Sequence, residues 1–208
     1  MKKLITEDDV KKVLKNDGQE INIEKGSVIT PLALDRIRHA GLRIVSEISA
    51  KAPVISNYSK VAIGSDHTGV KAKKIVYDFL KAKGLDVTDV GTFTEDAVDY
   101  PDIAFDVANR VIMGEVDCGI ILDATGIPSA ITANKIPGIR AATCYNEFSA
   151  KSAREHNNAN VLVMGAKTLG DETIKSIIEV WLKSGFLGDR HQRRLDKIKS
   201  IEEKFLMK

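Results

Sequence analysis

From Lys60 onward this 208-residue chain predicts a doubly wound α/β fold: a Rossmann-like parallel sheet in an α/β/α sandwich, preceded by a small α+β module. Three observations predict it. Short apolar runs alternate with amphipathic stretches of helical period, the pattern of a parallel sheet covered by helices. One run, Cys118-Gly119-Ile120-Ile121-Leu122, is almost continuously apolar, as a parallel strand buried on both faces requires. Polar and glycine residues then gather where the runs end, the place where such folds bind ligands.

Composition narrows the function classes. Hydrophobic residues make up 43% and charged residues 29%, a globular balance and not a disordered one. With 31 Lys+Arg against 29 Asp+Glu the net charge is +2, so no global basic field points to nucleic acid. No apolar run approaches the roughly 18 residues of a membrane span. Met1 to Asp9 turns acidic too early for a signal peptide. Cys118 and Cys144 offer neither a C-x-x-C spacing nor a disulfide framework. The expectation is a cytoplasmic protein without nucleic-acid or membrane partners.

The module occupies residues 1–48. Thr6, with Asp9 three positions on, opens a helix over 7–16 in capping-box fashion, and Asn16-Asp17-Gly18 stops it. Glu20 to Glu24 alternates as a short strand ended by Lys25-Gly26. Thr30 caps a second helix, with Pro31 at its first position where a missing N–H costs nothing; Gly41 ends it, and 42–45 is a strand. No clear period follows between Ser46 and Ser59, and residues 49–59 read as a linker.

In the larger part, 61–64 is a strand and 70–83 a helix with Ile75, Phe79 and Leu80 on one face. Gly84 precedes a strand at 85–90, and a helix after Pro101 carries Ile103, Val107, Val111 and Ile112. After the buried strand at 118–122 come a helix near 129–135, a strand at 139–143, a helix at 147–156 and a strand at 161–164. A last long helix spans 171–184, followed by a basic, helical C-terminal tail within the domain at 60–208.

The strand ends bear Gly64-Ser65-Asp66-His67-Thr68-Gly69 and Asp123-Ala124-Thr125-Gly126-Ile127-Pro128-Ser129. His156-Asn157-Asn158 precedes the last strand, and Gly188 to Arg194 opens the tail. Each has a plain structural alternative. Asp66 with His67 reads as a turn, Asp123 as a helix cap, Thr125-Gly126 as turn chemistry. His156 reads as a helix C-terminal residue favoured by the dipole, and the arginines as a solvated tail. Chain order nevertheless suggests one shared rim. There the glycine-bearing loop supplies N–H donors, Arg190 and Arg194 grip a phosphate from one helix face at i, i+4, and two histidines with a carboxylate move protons. That set suits proton transfer beside a carbonyl in a phosphorylated metabolite.

Five motifs in order carry a resemblance over about 70% of the chain. They are G-S-D-H-T-G at 64–69, D-Y-P-D at 99–102, A-N-K-I-P-G-I-R-A-A at 133–142, S-A-x-S-A-R-E-H-N-N-A-N-V-L at 149–162 and G-D-R-H-Q-R-R at 188–194. This segment resembles the ribose-5-phosphate isomerase B / galactose-6-phosphate isomerase family. The resemblance implies isomerisation of an aldose or ketose phosphate of the ribose-5-phosphate type through an enediolate, with neither metal nor cofactor. It implies that Asp66 and His67 contact the sugar and that Tyr100 lines the pocket. His156 assists ring opening beside Asn157, Arg190 and Arg194 hold the phosphate, and Thr125 with the backbone around Gly126 stabilises the enediolate. It also implies a homodimer or homotetramer with active sites shared between subunits.

The chain departs from the family pattern at Asp123, where the usual residue is the cysteine that moves the proton, and at Ala124 and Pro128, where glycines are usual. Lys167 stands where an arginine is common. A carboxylate serves as such a base when partial burial tunes it toward neutrality, which makes Asp123 the candidate. The D-A-x-G opening also looks like the galactose-6-phosphate isomerase subunit that works beside a cysteine-bearing partner. The alternative reading is therefore a sugar-phosphate-binding subunit completed by a paralogue. Cys118 and Cys144 read as packing residues. The pattern G-S-V-I-T-P-L-A at 26–33 resembles leader modules on enzymes of bacterial microcompartments, with an accessory docking or oligomerisation module as the equal alternative.

Overall fold

The computed structural model describes residues 4–16, 18–23, 27–46 and 58–206, and the chain divides into two compact units, 1–52 and 53–208. Most of the expected linker at 49–59, and Asp17, Glu24, Lys25 and Gly26 of the expected turns and strand end, lie outside the described residues.

In the first unit, β1 (Leu4–Ile5) leads to α1 (Glu7–Lys15), β2 (Glu20–Ile23), β3 (Val28–Ile29), α2 (Pro31–His39) and β4 (Arg43–Ser46). The caps work as the residue types dictate. The Thr6 N–H donates to Asp9 Oδ2 at 2.9 Å, and the Ala33 N–H donates to Thr30 Oγ1 at 3.3 Å. β1 pairs with β3 and β2 with β4, both parallel, around a core of Ile5, Val10, Ile21, Ile23, Ala33, Ile37 and Leu42.

The second unit runs β5 (Lys60–Ser65), α3 (Val70–Ala82), β6 (Asp86–Asp89), α4 (Tyr100–Ile112), β7 (Cys118–Asp123) and α5 (Ile127–Ala133). It continues with β8 (Ala141–Thr143), α6 (Glu147–Asn157), β9 (Val161–Gly165), α7 (Asp171–Lys183) and α8 (Gln192–Leu206). Its five strands are all parallel in the order β6-β5-β7-β9-β8. Alternate residues feed opposite faces. Ile63, Ile120, Leu122 and Leu162 join Leu80 and Trp181 on one side, while Ala62, Ile121 and Val163 join Val107 on the other. This two-sided burial is why β7 reads as an unbroken apolar run. Gly64 and Gly119 let α4 lie close, because a Cβ there would stand 2.7 Å from Ile103 Cγ2 and 2.5 Å from Val107 Cγ1.

Several expectations shift. α5 begins at Ile127 and not near 129, because Gly126 takes φ +82 and Pro128 suits a first turn. β8 keeps only three residues. On α3 the fully buried apolar pair is Val76 and Leu80, with Ile75 and Phe79 half-buried; Ile112 at the end of α4 is exposed. The expected C-terminal helical tail is α8. Arg154, inside the fourth motif, is buried with its guanidinium over Tyr58 and Trp181, 5.0 and 5.4 Å from the ring centroids, and donates to the Ala159 carbonyl.

Direction matters most for the site. Strand carboxyl ends collect on one rim, and each helix returns the chain to the other. After α6 the chain lies at the amino ends of β7 and β8, where the Gly119 N–H donates to Asn160 O and the Asn160 N–H donates to Arg140 O. Replacing Leu162, which is fully buried in the central sheet, by alanine is expected to cost about 2–5 kcal/mol. Urea unfolding of the full chain followed by Trp181, its single tryptophan, reads this unit alone.

Candidate active site

Two clusters hold the expected site residues. The carboxyl rim carries Asp66, His67, Tyr100, Asp123, Thr125, Gly126 and Lys167. His156, Asn157, Arg190 and Arg194 do not join them. His156 and Asn157 end α6 on the amino rim, and the Leu187 N–H donates to Glu155 O at 3.0 Å, which brings the segment before α8 to the same end. The expectation of one shared rim is thus corrected, because a helix leaving the carboxyl rim delivers its last turn to the opposite one. The six residues of β7, at about 3.3 Å each, put roughly 16–20 Å between the clusters.

On the carboxyl rim, buried Asp66 closes its own turn: Oδ1 accepts the Thr68 N–H at 2.9 Å and the Thr68 hydroxyl at 2.6 Å. His67 Nδ1 accepts the Val98 N–H at 3.3 Å, so in the neutral ring the proton sits on Nε2. That bond also ties His67 to the segment leading into Tyr100. A cavity of about 330 Å³ lies beside it, lined by His67, Thr68, Lys71, Glu95 and Lys167. Lys71 is paired with Glu95 at 3.0 Å, whereas Lys167 has no ion pair among the described residues. The Lys167 backbone N–H donates to Ala124 O, which fixes it beside the loop after β7.

In that loop Asp123, the expected base, makes the contacts of a cap. Asp123 is 0% exposed. Its Oδ1 accepts the N–H groups of Thr125 at 2.9 Å and Gly126 at 2.5 Å, and its Oδ2 accepts that of Ser129 at 3.0 Å. A base must reach its proton at about 2.6–3.2 Å, and this carboxylate is turned inward onto its own backbone. Asp123 caps the loop, the structural alternative weighed above. The same bonds consume the backbone donors expected to stabilise an enediolate. The Ile127 N–H goes to Thr125 Oγ1 at 3.3 Å, and Pro128 has none. Gly126 is the pivot: its φ is +82, its carbonyl accepts the Thr143 hydroxyl at 2.7 Å, and a Cβ there would stand 2.9 Å from Thr143 Cγ2. Thr125 keeps one asset, because its hydroxyl accepts from Ile127 and its own proton remains to donate.

On the amino rim, His156 Nδ1 lies 3.2 Å from Ser152 Oγ, and Asn157 is exposed. Arg190 and Arg194 are both exposed, but Arg190 sits in the turn before α8 and only Arg194 in its first turn. The expected i, i+4 pair on one helix face is replaced by a turn and a helix start. Sequence reasoning assigned nothing to His191. It is buried and stacks on His156 with ring centroids 4.4 Å apart and planes within 4°. The motif at 188–194 contained it, but no spacing rule says which of those polar residues folds inward. Among the described residues, no group of three or more His, Cys, Asp or Glu side chains is arranged to hold a metal.

Neither cysteine is suited to act as a base. Burial pushes the Cys118 thiol up to about 12 and the Cys144 thiol to about 11. On the order of one thiol in a thousand or fewer is ionised at pH 8, since a raised acid pKa favours the neutral form. Both are expected to resist Ellman's reagent in the folded protein and to react within minutes in guanidinium. For Asp123→Asn, which turns an amide N–H₂ toward backbone donors, a loss of about 1–3 kcal/mol in stability is expected from denaturation monitored at Trp181. Unchanged stability would contradict the capping role.

The comparisons agree with this architecture. Residues 61–198 match the family model described as Ribose/Galactose Isomerase. The chain is 41% identical over 145 residues to ribose-5-phosphate isomerase B of Escherichia coli, covering 70% of this chain and 97% of that protein. Among solved structures, ribose-5-phosphate isomerase B of Clostridium thermocellum is 46% identical with a TM-score of 0.70, covering 70% of this chain and 99% of that one. The Mycoplasma genitalium enzyme with bound ribulose-5-phosphate is 41% identical with a TM-score of 0.67, covering 69% and 96%. Beyond Lys60, then, this chain belongs to the ribose/galactose isomerase family of sugar-phosphate isomerases.

Proposed function

We propose that the protein interconverts ribose 5-phosphate and ribulose 5-phosphate through an enediolate, in active sites that pair the carboxyl rim of one copy with the amino rim of another. The single observation behind this reading is the split of complementary chemistry. One rim holds Asp66, His67 and the cation Lys167, which has no ion pair among the described residues; the other holds an imidazole on a helix end and two arginines. A two-fold dimer, or a tetramer built from it, brings unlike rims together twice. In such a site Asp66, His67 and Tyr100 hold the sugar, Arg190 and Arg194 with Lys167 hold the phosphate, and His156 beside Asn157 opens the ring. In this reading Asp123 leaves its backbone donors to take the C2 proton, forming the enediolate, whose oxygen accepts a hydrogen bond from the Thr125 hydroxyl; the protonated Asp123 then returns that proton to C1, giving the other isomer.

A second reading has its own support. With Asp123 buried against backbone and both thiols neutral, the group that carries the C2 proton is best supplied by a cysteine-bearing paralogue. A lost oxyanion donor alone costs about 3 kcal/mol of barrier. The first unit lies outside the family match and has its own core, which fits a docking module of a cytoplasmic enzyme recruited to a bacterial microcompartment.

Incubating the protein alone with aldose and ketose phosphates in D₂O decides between the readings. Deuterium at the carbon beside the carbonyl, with isomer formed, is the expected result for a self-sufficient enzyme. Binding without exchange on every sugar selects the paralogue. For the active assembly, His156→Ala is expected to lower turnover about 10²–10⁴-fold on closed-ring substrate. Mixing inactive His67→Ala with inactive His156→Ala chains is expected to recover about a quarter of the activity, since half the dimers then carry one intact site. No recovery would place both residues in one copy's site.

A further inference from the structure

Three features of His191 stand apart from the residues assigned so far. Its ring is 5% exposed and stacks face to face on His156. Its Nε2 lies 3.4 Å from Arg190 Nε, which donates to it, so the ring proton belongs on Nδ1. That Nδ1 is buried and has no hydrogen-bond partner among the described residues. An unpartnered buried donor is costly, and a phenyl ring would fill the same space without that cost. What a phenyl ring lacks is the acceptor for Arg190.

We propose that His191 is a positioning residue that holds His156 and Arg190 in register, one through its ring face and the other through its Nε2 lone pair. The proposal rests on the reading of His156 and Arg190 as substrate groups. The stack sets the plane of the His156 imidazole, whose Nδ1 already meets Ser152, and leaves the Nε2 edge to face a ligand. The bond to Arg190 uses its Nε and leaves both terminal nitrogens to fork onto a phosphate. Both services require a neutral His191. The charges around it enforce this: burial first, then His156, Arg190 and Arg194 oppose its protonation, and only Asp189 favours it. A protonated His191 would donate from both nitrogens, could no longer accept from Arg190, and would repel a protonated His156 across the stack.

The first experiment needs no substrate. Long-range ¹H–¹⁵N NMR of the full chain reads the tautomer and titration of each imidazole. The expected result is His191 neutral with the proton on Nδ1, still uncharged at pH values where a free histidine, with a pKa near 6.5, is half protonated. Two variants then separate the services, with inorganic phosphate as the probe. His191→Phe keeps the ring face but loses the acceptor, and is expected to weaken phosphate binding several-fold. His191→Asn keeps an acceptor without the ring face, and is expected to hold phosphate affinity within twofold while shifting the His156 ring resonances. With an active assembly the same split appears as a raised KM for His191→Phe and a lowered kcat for His191→Asn. A His191 that carries its proton on Nε2 and titrates like a free histidine overturns the proposal, as does equal behaviour of the two variants. Failure of every sugar phosphate to turn over, with the NMR and phosphate results as expected, would count against the isomerase reading and not against this one.

Discussion

Parallel pairing is the constraint from which the rest of the second unit follows. Neighbouring strands that run the same way cannot be joined by tight turns, so each connection returns as a helix across one face. That buries β7 and β9 on both sides, which explains their unbroken apolar character. It also gives every strand-to-helix loop to one rim and every helix-to-strand loop to the other. Asp66, Asp123 and Thr125 fall on the first rim and His156 on the second, whatever their chemistry would prefer. The separation of the two clusters is a consequence of sheet direction.

The loop after β7 shows how one side chain can set the chemistry of a glycine-bearing turn. A glycine-bearing turn with several N–H groups converging is a site for an anion. Here the chain supplies the anion itself, since both Asp123 oxygens take up those N–H groups. The loop is thereby held firmly, with Gly126 packed against Thr143 and the backbone of Gly165. The donors that shape the loop are then unavailable to a substrate oxygen. Rigidity and catalytic stabilisation draw on the same groups, and the carboxylate commits them to rigidity.

The amino rim is built on a different economy, in which basic and aromatic groups are stacked and not capped. Arg154 lies over Tyr58 and Trp181, and His156 lies on His191. Ring contacts there add to the hydrogen bonds these groups also make, as Arg154 does to the Ala159 carbonyl and His156 with Ser152. Arg190 gives its Nε to His191 and keeps its two terminal nitrogens facing outward beside exposed Arg194.

Local rules acting on nearby residues were legible in the sequence. The Thr6–Asp9 and Thr30–Pro31 caps, the alternation of strands and helices from Lys60 on, and the buried run at 118–122 rest on spacing along the chain, where sequence distance equals spatial distance. The motifs likewise placed the family, because their order survives without any knowledge of the fold. Legibility ended where a residue's role depended on what faces it. Structural and catalytic readings competed at Asp123 and His156, and only the fold showed that the Asp123 oxygens face backbone donors of their own loop. Ile112 keeps the apolar period of α4 yet faces outward, and His191 hid inside a basic motif until a histidine 35 positions away stacked on it. The sequence by itself determined the helices, the longer strands, their order and the family, while the two-residue strands β1 and β3 are too short to leave a period. Tertiary structure alone decided which rim each group occupies and where each lone pair points, because those depend on strand direction and on partners distant in the chain.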